Sequence, residues 1–229
     1  MRVDACSPEA TTVVAERADG GTAHRLFASG GEEATSLRAI TREAGVNVAA
    51  IHYHFGGRDG LLREVLDRYV GPLNRRRLAL LDEAERAHGS VVPVTLLLEA
   101  FLRPDLELLA RLRADQLQVA RFLGRAYTQP SAVLEGLVRR QFEPVAARLV
   151  PLLRRALPDL GEDEIHLRLD LIVAVVTGLF ATAGPLGRPT VLGTDDVEWQ
   201  LRLLVAFFAP ALSAPRAPTG APVLNRPGG

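Results

Sequence analysis

Ala34-Thr35-Ser36-Leu37-Arg38-Ala39-Ile40-Thr41-Arg42-Glu43-Ala44-Gly45-Val46-Asn47-Val48-Ala49-Ala50-Ile51-His52-Tyr53-His54-Phe55-Gly56-Gly57-Arg58-Asp59-Gly60-Leu61-Leu62 reads as two short helices joined at a glycine. Thr35 and Ser36 supply hydroxyls that cap orphan N–H groups, and Leu37, Ile40, Thr41 and Ala44 recur at three-and-four spacing until Gly45 ends the helix. Beyond the turn, Val46 plugs the corner, and Val48, Ile51 and Phe55 share one side of the second helix. Asn47, Ala49, Ala50 and Tyr53 are left to face outward. A small, outward-facing helix surface suits entry into a DNA major groove. An ordinary αα-hairpin uses the same glycine, so this segment leaves both readings open.

Further residues extend the pattern in both directions. Leu26-Phe27-Ala28-Ser29-Gly30-Gly31, the run from Ala34 to Ile40, Glu43-Ala44-Gly45-Val46, and Tyr53 to Leu62 together resemble the N-terminal domain of TetR-family transcriptional regulators, over about residues 22 to 66. The resemblance implies a three-helix DNA-binding head with a helix-turn-helix, and a larger helical body that binds an effector. It also implies a homodimer on a two-fold DNA operator, an inverted repeat, most often as a repressor released by a small molecule. The expected DNA contacts are Thr35, Ser36 and Arg38 around the start of the second helix, and Asn47, Ala49 and Ala50 in the groove. His52, Tyr53 and Arg58 are the expected backbone contacts, with His52 and Tyr53 as alternatives for one phosphate.

Two features depart from that pattern. The family's first helix usually carries an apolar pair ahead of two small residues, whereas this chain reads Ala18-Asp19-Gly20-Gly21-Thr22-Ala23. Each of two adjacent helical glycines costs roughly 1 kcal/mol relative to alanine. Charge is also unhelpful to DNA: residues 35–63 carry a net +2, but residues 1–34 a net −3. Affinity for DNA grows with the number of phosphates neutralised, so two heads on two half-sites are expected to be needed. An alternative reading is a dimeric ligand-binding or protein-interaction module whose head has decayed.

With 229 residues, 48% of them apolar, the chain is long enough for a small head and a larger body. The expected division is a tail over 1–10, the head over 11–58, the body over 59–212 and a Pro-, Ala- and Gly-rich tail over 213–229. The 27 basic and 27 acidic residues balance, and every basic residue is arginine. A generally polyanion-coating protein is thereby disfavoured. The lone Cys6 has no intrachain partner for a disulfide. No basic start precedes an apolar run, and the longest apolar stretch, Leu171 to Gly184, is interrupted by Thr177 and Thr182. A cytoplasmic protein without membrane contact is expected.

The body reads as all-α. A long helix is expected from Asp59 through Leu61, Leu62, Val65, Leu66 and Tyr69, kinked at Pro72, and on through Leu73, Leu78, Leu81 and Ala84 to His88-Gly89. Arg75-Arg76-Arg77 on it reads as a solvated face with local ion pairs to Asp82 or Glu83. Further apolar periods run over 92–102, 105–127, 131–157 and 163–183, punctuated by Pro93, Pro104, Pro130 and Pro158 and kinked or split at Pro144 and Pro151.

Two stripes, Leu167, Leu171, Ile172, Val175, Leu179 and Phe180, then Val197, Leu201, Leu204, Val205 and Phe208, are wider than one neighbour covers. Leu171, Val175, Leu179, Leu201, Leu204, Val205 and Phe208 are therefore expected at a dimer interface, with Trp199 on its rim. Phe101, Leu102, Phe122, Leu123 and Tyr127 are candidates to line an effector pocket between helices, and the scarcity of polar groups on these faces favours a greasy ligand.

Catalysis finds no footing. The histidines at 24, 52, 54, 88 and 166 are scattered, and His52 and His54 point to different sides of a helix. No nucleophile–base signature occurs, and Glu162, Asp163 and Glu164 read as dipole-favoured residues at a helix start. The sequence calls for no enzyme activity, no metal and no cofactor.

Overall fold

The computed structural model describes residues 53, 56–115, 120, 123–124, 132–180 and 196–216; of 58, 61, 62, 65, 113–115, 132–134 and 179 it describes the backbone only. Five helices stand among the described residues: α1 (Arg58–His88), α2 (Val94–Asp115), α3 (Ala132–Ala156), α4 (Glu162–Leu179) and α5 (Val197–Leu212). No described residue lies in a β-strand. The all-α expectation is met.

Three glycines set the ends of α1. Gly56 and Gly57 precede it with φ of 69° and 110°, a region that β-carbon-bearing residues rarely enter. Gly89 follows with φ of 74°, and its N–H closes on the Glu85 carbonyl at 2.8 Å. Asp59 stands in the first turn and Arg86 and His88 in the last, each matching the sign of the helix dipole. Leu66, Val70, Leu73, Arg77 and Leu81 form the buried stripe of α1, which packs between α2 and α3.

The second helix departs from expectation. Pro104 was expected to separate two helices, yet α2 runs through it, as α1 runs through Pro72 and α3 through Pro144 and Pro151. A helical proline removes the donor for the carbonyl four residues back. One carbonyl further on, Phe101 accepts from Arg77 Nε at 2.9 Å, so a neighbouring helix supplies a donor in this stretch. Leu97, Leu98, Phe101, Leu102, Leu106, Leu108, Leu109 and Leu112 are all buried. A helix covered on nearly every side tolerates such a defect, because its packing rather than its ladder dominates its stability.

α3 is tied to α1 by polar contacts spread along both. Gln141 Nε2 donates to Asp67, Asn74 Nδ2 donates to the Gln141 carbonyl at 2.7 Å, and Arg148 reaches both Asp82 and Glu85. Arg148 draws the Glu85 carboxyl below its ordinary pKa, chiefly through their hydrogen bond. α5 lies mainly on α2 and also touches α4. Asp196 caps α5 by accepting from the Trp199 N–H at 2.9 Å.

The far end of α5 is capped from another helix. Arg168 on α4 donates to the carbonyls of Leu212 at 2.7 Å, Ala214 at 2.6 Å and Pro215 at 3.0 Å, and Glu164 one turn earlier holds its guanidinium at 2.6 Å. Carbonyls without an intrahelical partner are thus satisfied by a fixed charge from α4.

Candidate DNA head, dimer face and effector cluster

Most of the expected DNA contacts, Thr35, Ser36, Arg38, Asn47, Ala49, Ala50 and His52, lie outside the described residues. Tyr53 is described and is 72% exposed. Arg58 is the first residue of α1, so the N-terminal amides of a 31-residue helix stand beside it. Such amides attract anions.

On the last two helices, each element is apolar on two faces. Ile165, Leu169, Ile172 and Val176 on α4, and Phe180 just past its end, are buried, while Leu167, Leu171 and Val175 are exposed at 60%, 62% and 46%. On α5, Leu201, Val205, Phe208 and Leu212 are buried, while Trp199, Leu203 and Phe207 are exposed. Leu204 is half-buried against the core, and the Leu179 side chain lies outside what is described. The interface expected at Leu201, Val205 and Phe208 therefore needs correction. Those side chains are already covered within the protomer and have little surface left to lose to a twin. The free apolar positions on α5 recur at every fourth residue, 199, 203 and 207, matching 167, 171 and 175 on α4. Of the expected set, Leu171 and Val175 are the exposed members.

The body core holds a polar cluster that contradicts the expected scarcity of polar groups. Arg77, 1% exposed, pairs with the buried Asp105 and donates through Nη1 to Asn74 Oδ1 at 2.8 Å and through Nε to the Phe101 carbonyl. Its guanidinium lies 4.5 Å from the ring centre of Phe101 and 5.4 Å from that of Phe142. Burial pushes the Asp105 carboxyl up from its ordinary pKa, and the charge and hydrogen bond of Arg77 offset part of that push. The solvated face expected for Arg75 to Arg77 is thus wrong for Arg77, and Asp82, one of its expected partners, pairs with Arg148 instead. Arg75 and Arg76 are exposed.

Four helices meet at this cluster. Arg77 comes from α1, Phe101 and Asp105 from α2, Phe142 from α3, and Val173, Val176 and Thr177 from α4. The free space among them is only about 10 Å³. That is at most about one water molecule. Of the expected effector residues, Phe101 borders the cluster, Leu102 and Leu123 are buried in the core, and Phe122 and Tyr127 lie outside the described residues. Sequence reasoning missed Arg77, Asp105 and Asn74. Their one signal was the position of Arg77 at i+4 from Leu73 and i−4 from Leu81, in register with the buried stripe.

Two family descriptions match the chain. Residues 21–65 match "Bacterial regulatory proteins, tetR family", and residues 99–215 match "Tetracyclin repressor-like, C-terminal domain". The chain belongs to the TetR family. TetR-family proteins are DNA-binding transcription factors and not enzymes. A curated relative, the HTH-type transcriptional regulator BetI 2 of Chromohalobacter salexigens, is 43% identical over 65 residues, 26% of this chain and 31% of the relative's length. Among solved structures, the TetR-family regulator PfmR of Thermus thermophilus aligns with a TM-score of 0.52 at 14% identity, over 90% of this chain and 96% of that one. A transcriptional regulator from Rhodococcus sp. Rha1 aligns at 0.51 with 24% identity, over 89% and 98%. These two similarities concern the fold. The matched TetR head, 21–65, nearly coincides with the stretch singled out by sequence, and none of the described helices is long and apolar enough to cross a membrane.

Proposed function

We propose that this TetR-family protein is a cytoplasmic homodimer that binds an inverted-repeat operator sequence-specifically, represses transcription there, and is released by a small-molecule effector. The match of residues 21–65 to the family's DNA-binding region carries this reading. Thr35, Ser36 and Arg38 approach the backbone, Asn47, Ala49 and Ala50 read the groove, and His52, Tyr53 and Arg58 hold phosphates. The dimer forms through the exposed ladders of α4 and α5, Leu167, Leu171 and Val175 with Trp199, Leu203 and Phe207. Exposed apolar ladders of this kind favour a second copy, since a four-helix packing removes both from water. The effector acts between the helices of the body, where Phe101, Leu102, Phe122, Leu123 and Tyr127 are the candidate lining; the space of about 10 Å³ beside Arg77 and Asp105 is too small to be that pocket.

Fluorescence anisotropy on the DNA upstream of the protein's own gene, against a scrambled duplex over a salt series, tests this. Tight, salt-sensitive binding selective for the upstream DNA is expected. Equal, weak binding to both duplexes by a folded dimer would instead support the ligand-binding module with a decayed head. Substituting Asn47 is expected to change sequence preference, and Arg58→Ala to weaken binding to all sequences alike and flatten the salt dependence.

A further inference from the structure

Away from the buried cluster, α1 and α3 leave a slot of about 460 Å³ between them, lined by Arg63, Asp67, Gly71, Asn74, Arg75 and Leu78 on one side and Leu137, Arg140, Gln141 and Pro144 on the other. Three arginines reach this slot. Among the described residues, none of the three guanidinium groups has a hydrogen-bond or ion-pair partner, whereas the one carboxylate, Asp67, is engaged by Gln141.

Two of the arginines are placed by the same device. Gly71 stands four residues before Arg75, and a β-carbon at 71 would lie 3.4 Å from Arg75 Nη1. Gly136 stands four residues before Arg140, and a β-carbon there would lie 4.0 Å from Arg140 Nη1. Each guanidinium therefore lies back along its own helix over a position with no side chain, while its side chain stays exposed. Holding like charges in one slot without a counter-ion is unfavourable for the protein alone. Leu78, Leu137 and Pro144 add an apolar surface beside them.

We propose that this slot binds a small organic anion, a phosphate or carboxylate head group on an apolar body. Arg75 and Arg140, helped by Arg63, clamp the head group, and Leu78, Leu137 and Pro144 receive the body. Guanidinium forks suit the oxygens of both head groups, and the volume lies in the range of small-molecule sites. A duplex backbone is a convex rod that rides over a slot between two packed helices, so a small molecule fits better than DNA. The site does not depend on what the head does. It adjoins Asn74, which hydrogen-bonds both Arg77 and the Gln141 carbonyl, so an occupant braces α1 against α3 beside the core cluster.

The test titrates the full-length protein by calorimetry with octyl phosphate, octyltrimethylammonium and inorganic phosphate, in the absence of DNA. Saturable one-to-one binding of octyl phosphate is expected, with little or none of the cation. The double variant Arg75→Ala, Arg140→Ala is expected to bind at least about tenfold more weakly. Arg139→Ala, an exposed neighbour outside the slot, is expected to leave affinity unchanged. Gly71→Leu keeps every charge and favours the helix while filling the slot, and is expected to abolish binding. Thermal melts confirm that each variant is folded. The proposal is overturned if octyl phosphate does not bind, if the cation binds as tightly, or if folded double or Gly71→Leu variants bind like the parent.

Discussion

Two regions place side chains against type, in opposite ways. Between α1, α2, α3 and α4, a guanidinium and a carboxylate are buried, each satisfied by the other and by neighbours on the same protomer. On α4 and α5, Leu171 and Phe207 are more than half exposed, with apolar faces that no described residue covers. Among the described residues, the first region is complete within one chain, and the second is left open. The contrast separates what holds the protomer together from what we propose joins two of them.

The largest expected effect comes from breaking the buried pair. Asp105→Ala leaves Arg77 charged, buried and without its carboxylate, and is expected to lower unfolding stability by about 3–5 kcal/mol in chemical denaturation. Replacing both partners, Arg77→Met with Asp105→Leu, is expected to recover most of that loss. A double variant as unstable as the single one would show that the cluster contributes through shape rather than charge pairing.

Next comes the uncovered face. Phe207→Asp is expected to shift the dimer towards monomer by about 2 kcal/mol or more in light scattering across a dilution series. Its protomer should remain folded. Leu201→Ala, six residues earlier on the same helix but buried, is expected to act the other way round, lowering protomer stability by about 2–5 kcal/mol through a core cavity. If Phe207→Asp left the mass unchanged while Leu201→Ala dissociated the protein, the assignment of the two faces would be reversed.

A smaller effect is expected at the junction of the two helices. Arg168→Ala removes the donors for the carbonyls of Leu212, Ala214 and Pro215, and is expected to cost about 1–2 kcal/mol. Amide hydrogen exchange should rise first in the last turn of α5. Uniform loss of protection over the whole body would mean that Arg168 supports the core and not the helix end.

The smallest effect is a pH dependence whose sign differs between the regions. Glu85 and Glu198 have lowered folded pKa values, chiefly through hydrogen bonds from Arg148 and Arg103. Their contribution is present above the ordinary glutamate value and is lost as pH falls through that value to the folded one. Asp105 has a raised folded pKa, so its contribution falls as pH rises from the ordinary aspartate value towards the folded one. In thermal melts, Glu85→Gln is expected to weaken the acid-side decline slightly, more at low salt than at high. An identical pH profile for this variant would remove Glu85 from the account.

The order of amino acids was enough to specify the helices, because a 3.6-residue period and glycine punctuation are local properties. It marked the head, which the family match over 21–65 supports, and the ends of α1, expected from Asp59 to His88-Gly89 and observed from Arg58 to His88. Local rules also overstated proline: Pro104 does not divide α2, since burial on nearly every side outweighs one missing bond. Packing was needed to choose which of Arg75, Arg76 and Arg77 is buried, because the partners of Arg77 at Phe101 and Asp105 lie 24 and 28 residues away. Packing also selected which of two apolar faces each of α4 and α5 turns inward. Both faces repeat at helical spacing, and periodicity cannot choose between them; the choice follows from which neighbours, α2 above all for α5, are there to cover one of them.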